Sequence, residues 1–131
     1  MRIIYIDIDT LRADHLGCGG YHRDTSPNID TVASEGINFR NVYASDVPCL
    51  PSRTALITGM FGIRNGVINH GGRAADLQPE GKDRGFFGRF SMRSWASVFY
   101  LAGWHTASIS SFPFRHGASW WNSGFMESMN L

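Results

Sequence analysis

The sequence predicts an α/β fold built on a parallel sheet, and three observations carry that expectation. Ile3 to Ile8 is a mostly apolar, β-branched run closed by Asp9-Thr10, the pattern of a strand buried on both faces. Strand-like runs then alternate with helix-like ones along the chain, and parallel neighbours require such crossover connections. The helix-like runs carry end signals, proline at their start and glycine at their stop.

Taken in order, the first strand places Asp9 at its carboxyl end. Ser26-Pro27 reads as an N-cap followed by proline at the first helical position, and Gly36 as the stop, giving a helix through Ile29, Val32 and Ala33. Ile37 to Ala44 reads as a second strand. Pro51 and Gly59 bracket a short helix, Ser52 to Thr58, that begins just after Cys49. Gly62 to Gly88 is rich in Gly, Arg and Asp without periodicity, the composition of a long loop. Ser94 to Ala102, closed by Gly103, reads as a third helix with Trp95, Val98 and Phe99 inward, and His105 to Ser110 as a third strand. In open parallel sheets ligands gather beyond the carboxyl ends of the strands, where Asp9 and the loop after the second strand are expected. Three strands leave an open sheet edge, which a finished domain covers or pairs, so the 131 residues read as an incomplete domain.

Composition narrows the function classes. A net charge of +1 with scattered basic residues offers no extended face for nucleic acid or anionic lipid. Lys82 is the single lysine among 12 basic residues, and arginine's planar fork of donors suits oxyanions better than a point charge does. The opening apolar run is too short for an export signal or a membrane span and is broken by carboxylates, so a cytoplasmic location is the default expectation. Cys18 and Cys49 are read as two free thiols, Cys18 structural.

Cys49 carries the sharpest chemistry. At the N-terminal edge of a helix it sits over free backbone N–H donors, where the helix dipole draws anions. Arg53 lies four residues on and therefore on the same helical face. A tetrahedral oxyanion over Cys49 would meet both.

The stretch Cys49-Leu50-Pro51-Ser52-Arg53-Thr54-Ala55-Leu56-Ile57-Thr58-Gly59 resembles the sulfatase signature, C-x-P-S-R followed by x-x-L-[LI]-T-G, at every defined position. Asp9 to Tyr21 and Ser26-Pro27-Asn28-Ile29-Asp30 look like the same family's opening block, in order and spacing. The resemblance implies a parallel-sheet sandwich of the alkaline phosphatase and sulfatase type, of which residues 1–131 would form the N-terminal portion, the rest of the same enzyme being a required partner. It implies hydrolysis of a small-molecule or carbohydrate sulfate ester by formylglycine, made from Cys49 by a maturation enzyme that reads Pro51 and Arg53. It also implies one divalent metal, calcium, with Asp9 and the converted Cys49 among its ligands. Phosphonate monoester and phosphodiester hydrolases of the same superfamily share the oxidised cysteine and are the alternative, as is a non-catalytic fragment.

The chain departs from the family pattern twice. Thr10 stands where many members carry a second aspartate. Ser110-Ser111-Phe112-Pro113 stands where many carry Gly-Lys-x-His, so Arg115 as oxyanion clamp and His116 as proton donor are the substitutes next in sequence. His70, in the loop after the signature, is a substrate-binding candidate. Asp14 and His15 are read as fixing their loop, Asp7 as a hydrogen-bonded carboxylate, and Trp120-Trp121 with Phe125 as packing before sugar stacking.

Overall fold

The computed structural model describes residues 1–70, 94–112, 121 and 124–129. They fall into two compact units, Met1–Tyr43 and Ala44–Leu131.

In the first unit, residues 1–8 carry no regular secondary structure and face solvent, with Ile4 82% and Ile6 75% exposed. Residues 37–43 are likewise exposed, and the strands predicted over 3–8 and 37–44 do not form a ladder among the described residues. The apolar run supplies the propensity of a strand, but a strand exists only when a neighbour takes its N–H and C=O groups.

The helix signals hold. Helix α1 spans Pro27–Glu35, with Ser26 at the N-cap position, Pro27 in the first turn and Gly36 at the stop. Gly36 ends it in extended rather than left-handed backbone. Ser26 does not cap its own helix. Its hydroxyl accepts the Gly17 N–H at 2.9 Å and donates to Asp30 Oδ2 at 3.0 Å, while Asp30 Oδ1 accepts the Cys18 N–H at 2.7 Å. These bonds clasp the 3-10 turn Gly17–Gly19 to the start of α1. A side chain at Gly17 would run into the Asp30 carboxylate, so that position must be bare. Upstream, in the 3-10 turn Ala13–His15, Arg12 grips Asp14 with Nε at 2.9 Å and Nη2 at 2.5 Å, and His15 Nδ1 lies 2.9 Å from the same carboxylate. His15 also stacks on Tyr21 at 4.6 Å. Asp14 and His15 thus fix the loop, as expected.

The second unit holds the core. Helix α2, Cys49–Thr58, buries Leu50, Pro51, Thr54, Ala55 and Ile57, and Gly59 ends it in the left-handed region at φ 67°. It packs against the short helix α3, Gly62–Asn65, and against α4, Trp95–Leu101. Sequence reasoning reads residues 62–88 as loop; α3 opens that stretch, and 71–88 lie outside the described residues. Ser94 caps α4, its hydroxyl accepting the Ser97 N–H at 3.0 Å. Inside α4 the buried residue is Ala96, whereas Val98, expected inward, is 52% exposed. The aromatic residues settle which face turns in, because Trp95 meets Phe125 and Phe99 edge-on and Phe99 meets Trp104.

The sheet of the described residues is one parallel pair. β1, Ala107–Ile109, runs beside β2, Glu127–Met129, with Ala107 opposite Glu127 and Ile109 opposite Met129. β1 falls inside the third predicted strand, and parallel pairing with flanking helices is the α/β arrangement that the alternation predicts. Thr106 ties the pair's start, its hydroxyl donating to the Gly124 carbonyl at 2.8 Å while its own carbonyl accepts the Met126 N–H at 2.9 Å. Among the described residues no helix is long and apolar enough to cross a membrane.

Two outcomes follow from this packing. The Cys18 N–H and the Ser26 hydroxyl hold the Asp30 carboxyl below the usual carboxylate range. A lowered folded value means the clasp is intact above the ordinary carboxylate pKa and dissolves as pH falls through the depressed one. The Cys18 amide shift in an NMR titration should therefore have its midpoint below about 3.9, and a midpoint at or above that value contradicts the clasp. Asn65, 3% exposed, donates from Nδ2 to the Met60 carbonyl and accepts the buried Val67 N–H on Oδ1, both at 2.8 Å. Asn65→Ala should lower unfolding free energy in urea by about 1–3 kcal/mol, because Val67 is left with a buried unpaired donor.

Candidate active site

Helix α2 starts at Cys49 itself, three residues earlier than the sequence predicts. The preceding Val47-Pro48 bond is cis, and Pro48 takes the N-cap position in extended backbone. Pro51 sits in the first turn, where a residue without an N–H removes nothing the helix needs. The first helical hydrogen bond in the run is Ser52 N–H to the Pro48 carbonyl at 3.1 Å. Cys49 and Leu50 are therefore the first-turn residues whose N–H groups have no helical carbonyl within reach.

His70 answers one of these. The Leu50 N–H donates to His70 Nε2 across 3.4 Å, a long bond that nevertheless puts the imidazole at the first turn of α2. Twenty residues separate the partners in sequence. The chain covers that distance by turning back at Gly59, forming α3, and returning along α2 to its beginning.

Three features fix the return. Asn65 spans the turn from Met60 to Val67 with its carboxamide. The Gly62 N–H donates to Asp46 Oδ1 at 3.0 Å, and a Cβ there would lie 2.7 Å from that oxygen and 2.9 Å from the Val67 carbonyl. Gly66 adopts φ 89° immediately after α3. Asn65 and Asp46 are absent from the candidates that sequence reasoning yields. The Asn65-Gly66 dipeptide is a turn signal that was available, whereas nothing local marks Asp46 as the acceptor of a glycine sixteen residues away.

Arg53 is half-buried on α2, one turn beyond Cys49, and its guanidinium carbon lies 5.2 Å from the centre of the Phe112 ring. The structure thus brings Cys49, Arg53 and His70 together around the first turns of α2, with Phe112 beside the arginine. Cys49 is half-buried and a free thiol, as is Cys18. Burial, then the Asp30 carboxylate, raises the Cys18 thiol pKa, which fits a structural rather than a reactive cysteine.

Asp9 belongs to the first unit, exposed in a turn with Thr10, whose φ of 58° is unusual for a β-branched residue. Among the described residues no group of three or more His, Cys, Asp or Glu side chains is placed to hold a metal. Calcium asks for about six to eight oxygens, so the described residues do not by themselves make its shell. Arg115, His116 and Trp120 lie outside the described residues. Trp121 and Phe125 pack on Phe112 and Trp95.

Comparison with known proteins points the same way as the helix start. The sulfatase family model matches residues 2–118. The chain is similar to an arylsulfatase of Clostridium perfringens, 33% identical over 107 residues that make up 82% of this chain and 20% of that protein. It is also similar to human arylsulfatase A, 40% identical over 65 residues, 50% of this chain and 13% of the relative. An N-acetylgalactosamine-6-O-sulfatase of Bacteroides thetaiotaomicron is 42% identical over 59 residues, 45% of this chain and 12% of the relative. The chain therefore spans a fifth or less of the length of these three proteins. No solved structure matches it significantly. With the family match spanning residues 2–118 and so including the helix that begins at Cys49, the chain belongs to the sulfatase family.

Proposed function

We propose that this chain is the N-terminal portion of a hydrolase of sulfate esters, folded in full as a parallel-sheet sandwich, whose nucleophile is Cys49 after oxidation to formylglycine. The observation that carries the reading is the placement of Cys49 as the first residue of α2, with Arg53 one turn on and His70 on the Leu50 N–H. Oxidation of the thiol needs a maturation enzyme, either of the dioxygen-using or of the radical type, to accept the electrons and remove the sulfur. The aldehyde hydrate supplies two hydroxyls on one carbon, so that one takes the sulfuryl group from the alcohol and the other lets the carbon return to the aldehyde and release sulfate.

The chain's own residues do the rest. The first turn of α2 attracts an oxyanion through its dipole and the Cys49 N–H. Arg53 adds a full positive charge with donors in a fork that matches two sulfate oxygens. His70, tied to the first turn, borders the place where the ester would sit. Arg115 and His116 are proposed as oxyanion clamp and as proton donor to the departing alcohol. Asp9 is assigned as one carboxylate ligand of a divalent cation, calcium by the chemistry of oxygen donors.

In the full-length enzyme, Cys49→Ala should lower aryl sulfate turnover by a factor on the order of 10⁴ or more. Arg53→Ala should lower it by about 10²–10³. Steady-state kinetics on an aryl sulfate beside a phenyl phosphonate monoester check both. Faster cleavage of the phosphonate would replace the sulfatase reading with phosphonate hydrolysis, and undiminished sulfate turnover in Cys49→Ala would remove the nucleophile.

A further inference from the structure

Asn65-Gly66 is the one Asn-Gly step in the sequence; every other asparagine is followed by a residue that carries a side chain. The carboxamide carbon of an asparagine is open to attack by the backbone nitrogen of the next residue. A bond forms between that nitrogen and Cγ, the side-chain nitrogen leaves as ammonia with the proton that the backbone nitrogen gives up, and a cyclic imide remains. Water then opens the imide at either carbonyl, leaving aspartate or, with the main chain rerouted through the side chain, isoaspartate. The balance is one water in and one ammonia out, with no oxidant or reductant. A glycine after the asparagine removes the Cβ that would crowd the attack.

The folded return closes this route at both reacting groups. Asn65 is 3% exposed, and its carboxamide is bonded at each end, to the Met60 carbonyl and to the Val67 N–H, both at 2.8 Å. The attacking nitrogen is engaged as well, because the Gly66 N–H donates to the Gly62 carbonyl at 2.8 Å and Gly66 is buried. Attack requires the carboxamide to turn out of its two bonds and the Gly66 nitrogen to release its proton away from bulk water. Those bonds are lost together when the return from α3 opens, so opening gates the reaction.

The product does not fit where the asparagine sat. A carboxylate has no N–H for the Met60 carbonyl and sets an acceptor against it in a buried place. Isoaspartate in addition lengthens the main chain at the last residue of α3. Either product disturbs the turn that carries the chain back to His70 and the Leu50 N–H.

We propose that Asn65-Gly66 is a deamidation site that the folded return keeps closed, and that conversion in the opened chain bars the return from forming again. The proposal concerns the ageing of the fold and stands apart from the identity of the substrate.

The test follows the peptide carrying Asn65 by mass spectrometry, with the full-length protein kept at mildly alkaline pH either folded or in guanidinium chloride. In denaturant Asn65 should convert ahead of the other asparagines of residues 1–131, and folding should slow it by a factor of about 100 or more. Gly66→Ala, read in denaturant where its fold does not matter, should slow conversion about 10-fold or more. Folded and denatured rates within about 10-fold of each other, another asparagine of these residues converting first, or an unchanged rate in Gly66→Ala would each overturn the site. The consequence is read on Asn65→Asp, which should unfold at lower urea and shift the Leu50 amide signal as His70→Ala does; a wild-type midpoint and a wild-type Leu50 signal would contradict it. If that variant does not fold, aged wild type is returned from denaturant and divided into folded and unfolded pools. The folded pool should keep asparagine at position 65 and the unfolded pool should hold the converted residue, and equal conversion in the two pools would overturn the proposed block.

Discussion

The first turn of any α-helix carries N–H groups that no helical carbonyl can reach, and in the second unit that unmet demand organises the residues around Cys49. Pro48 and Pro51 limit how it can be answered. Pro51 brings no N–H, so the unmet donors are those of Cys49 and Leu50, and the Leu50 donor is met by an imidazole from twenty residues downstream. Cys49 is left at the end of the dipole, where negative charge is stabilised. Leu50, fully buried, anchors the same turn to the core. Packing and electrostatics thus act on adjacent residues, with Leu50 directed inward and Cys49 half-exposed.

Delivering His70 to that turn is a problem of chain direction. After α2 the backbone must reverse and travel back, and a reversal this tight leaves several backbone groups unpaired unless side chains meet them. Asn65 answers two of them with one carboxamide, Asp46 answers Gly62, and Val67 fills the space beneath. None of these residues touches a substrate in the proposed reaction. They set the position of one that would.

Legibility in the sequence followed the range of the interaction. Helix ends were readable because their signals are local: proline at the first turn of α1, proline early in α2, the glycines after α2 and α4. The pairing of Cys49 with Arg53 was readable because four residues make about one helical turn. Contacts across longer stretches were not. Asp30 reaching back to Cys18, Asp46 meeting Gly62 and Arg53 lying over Phe112 obey no period. The strands over 3–8 and 37–44 illustrate the converse, since an apolar β-branched run states a preference and only a neighbour can realise it. Val98 shows a third limit: the aromatic residues of α4 chose the buried face, and the valine beside them was turned out.

Charge decides what such a site can do. A thiol at a helix start is a modest nucleophile for sulfur in a sulfate ester, while a carbon bearing two hydroxyls provides both the attacking oxygen and the means of release. The account therefore depends on a change of composition at one side chain. Mass spectrometry of the Cys49 peptide from the full-length protein, made in a host with a maturation system, measures that change directly. Conversion lowers the peptide's mass by about 18 Da, the difference between a thiol-bearing methylene and an aldehyde. An unaltered cysteine in a preparation that hydrolyses sulfate esters would contradict the account.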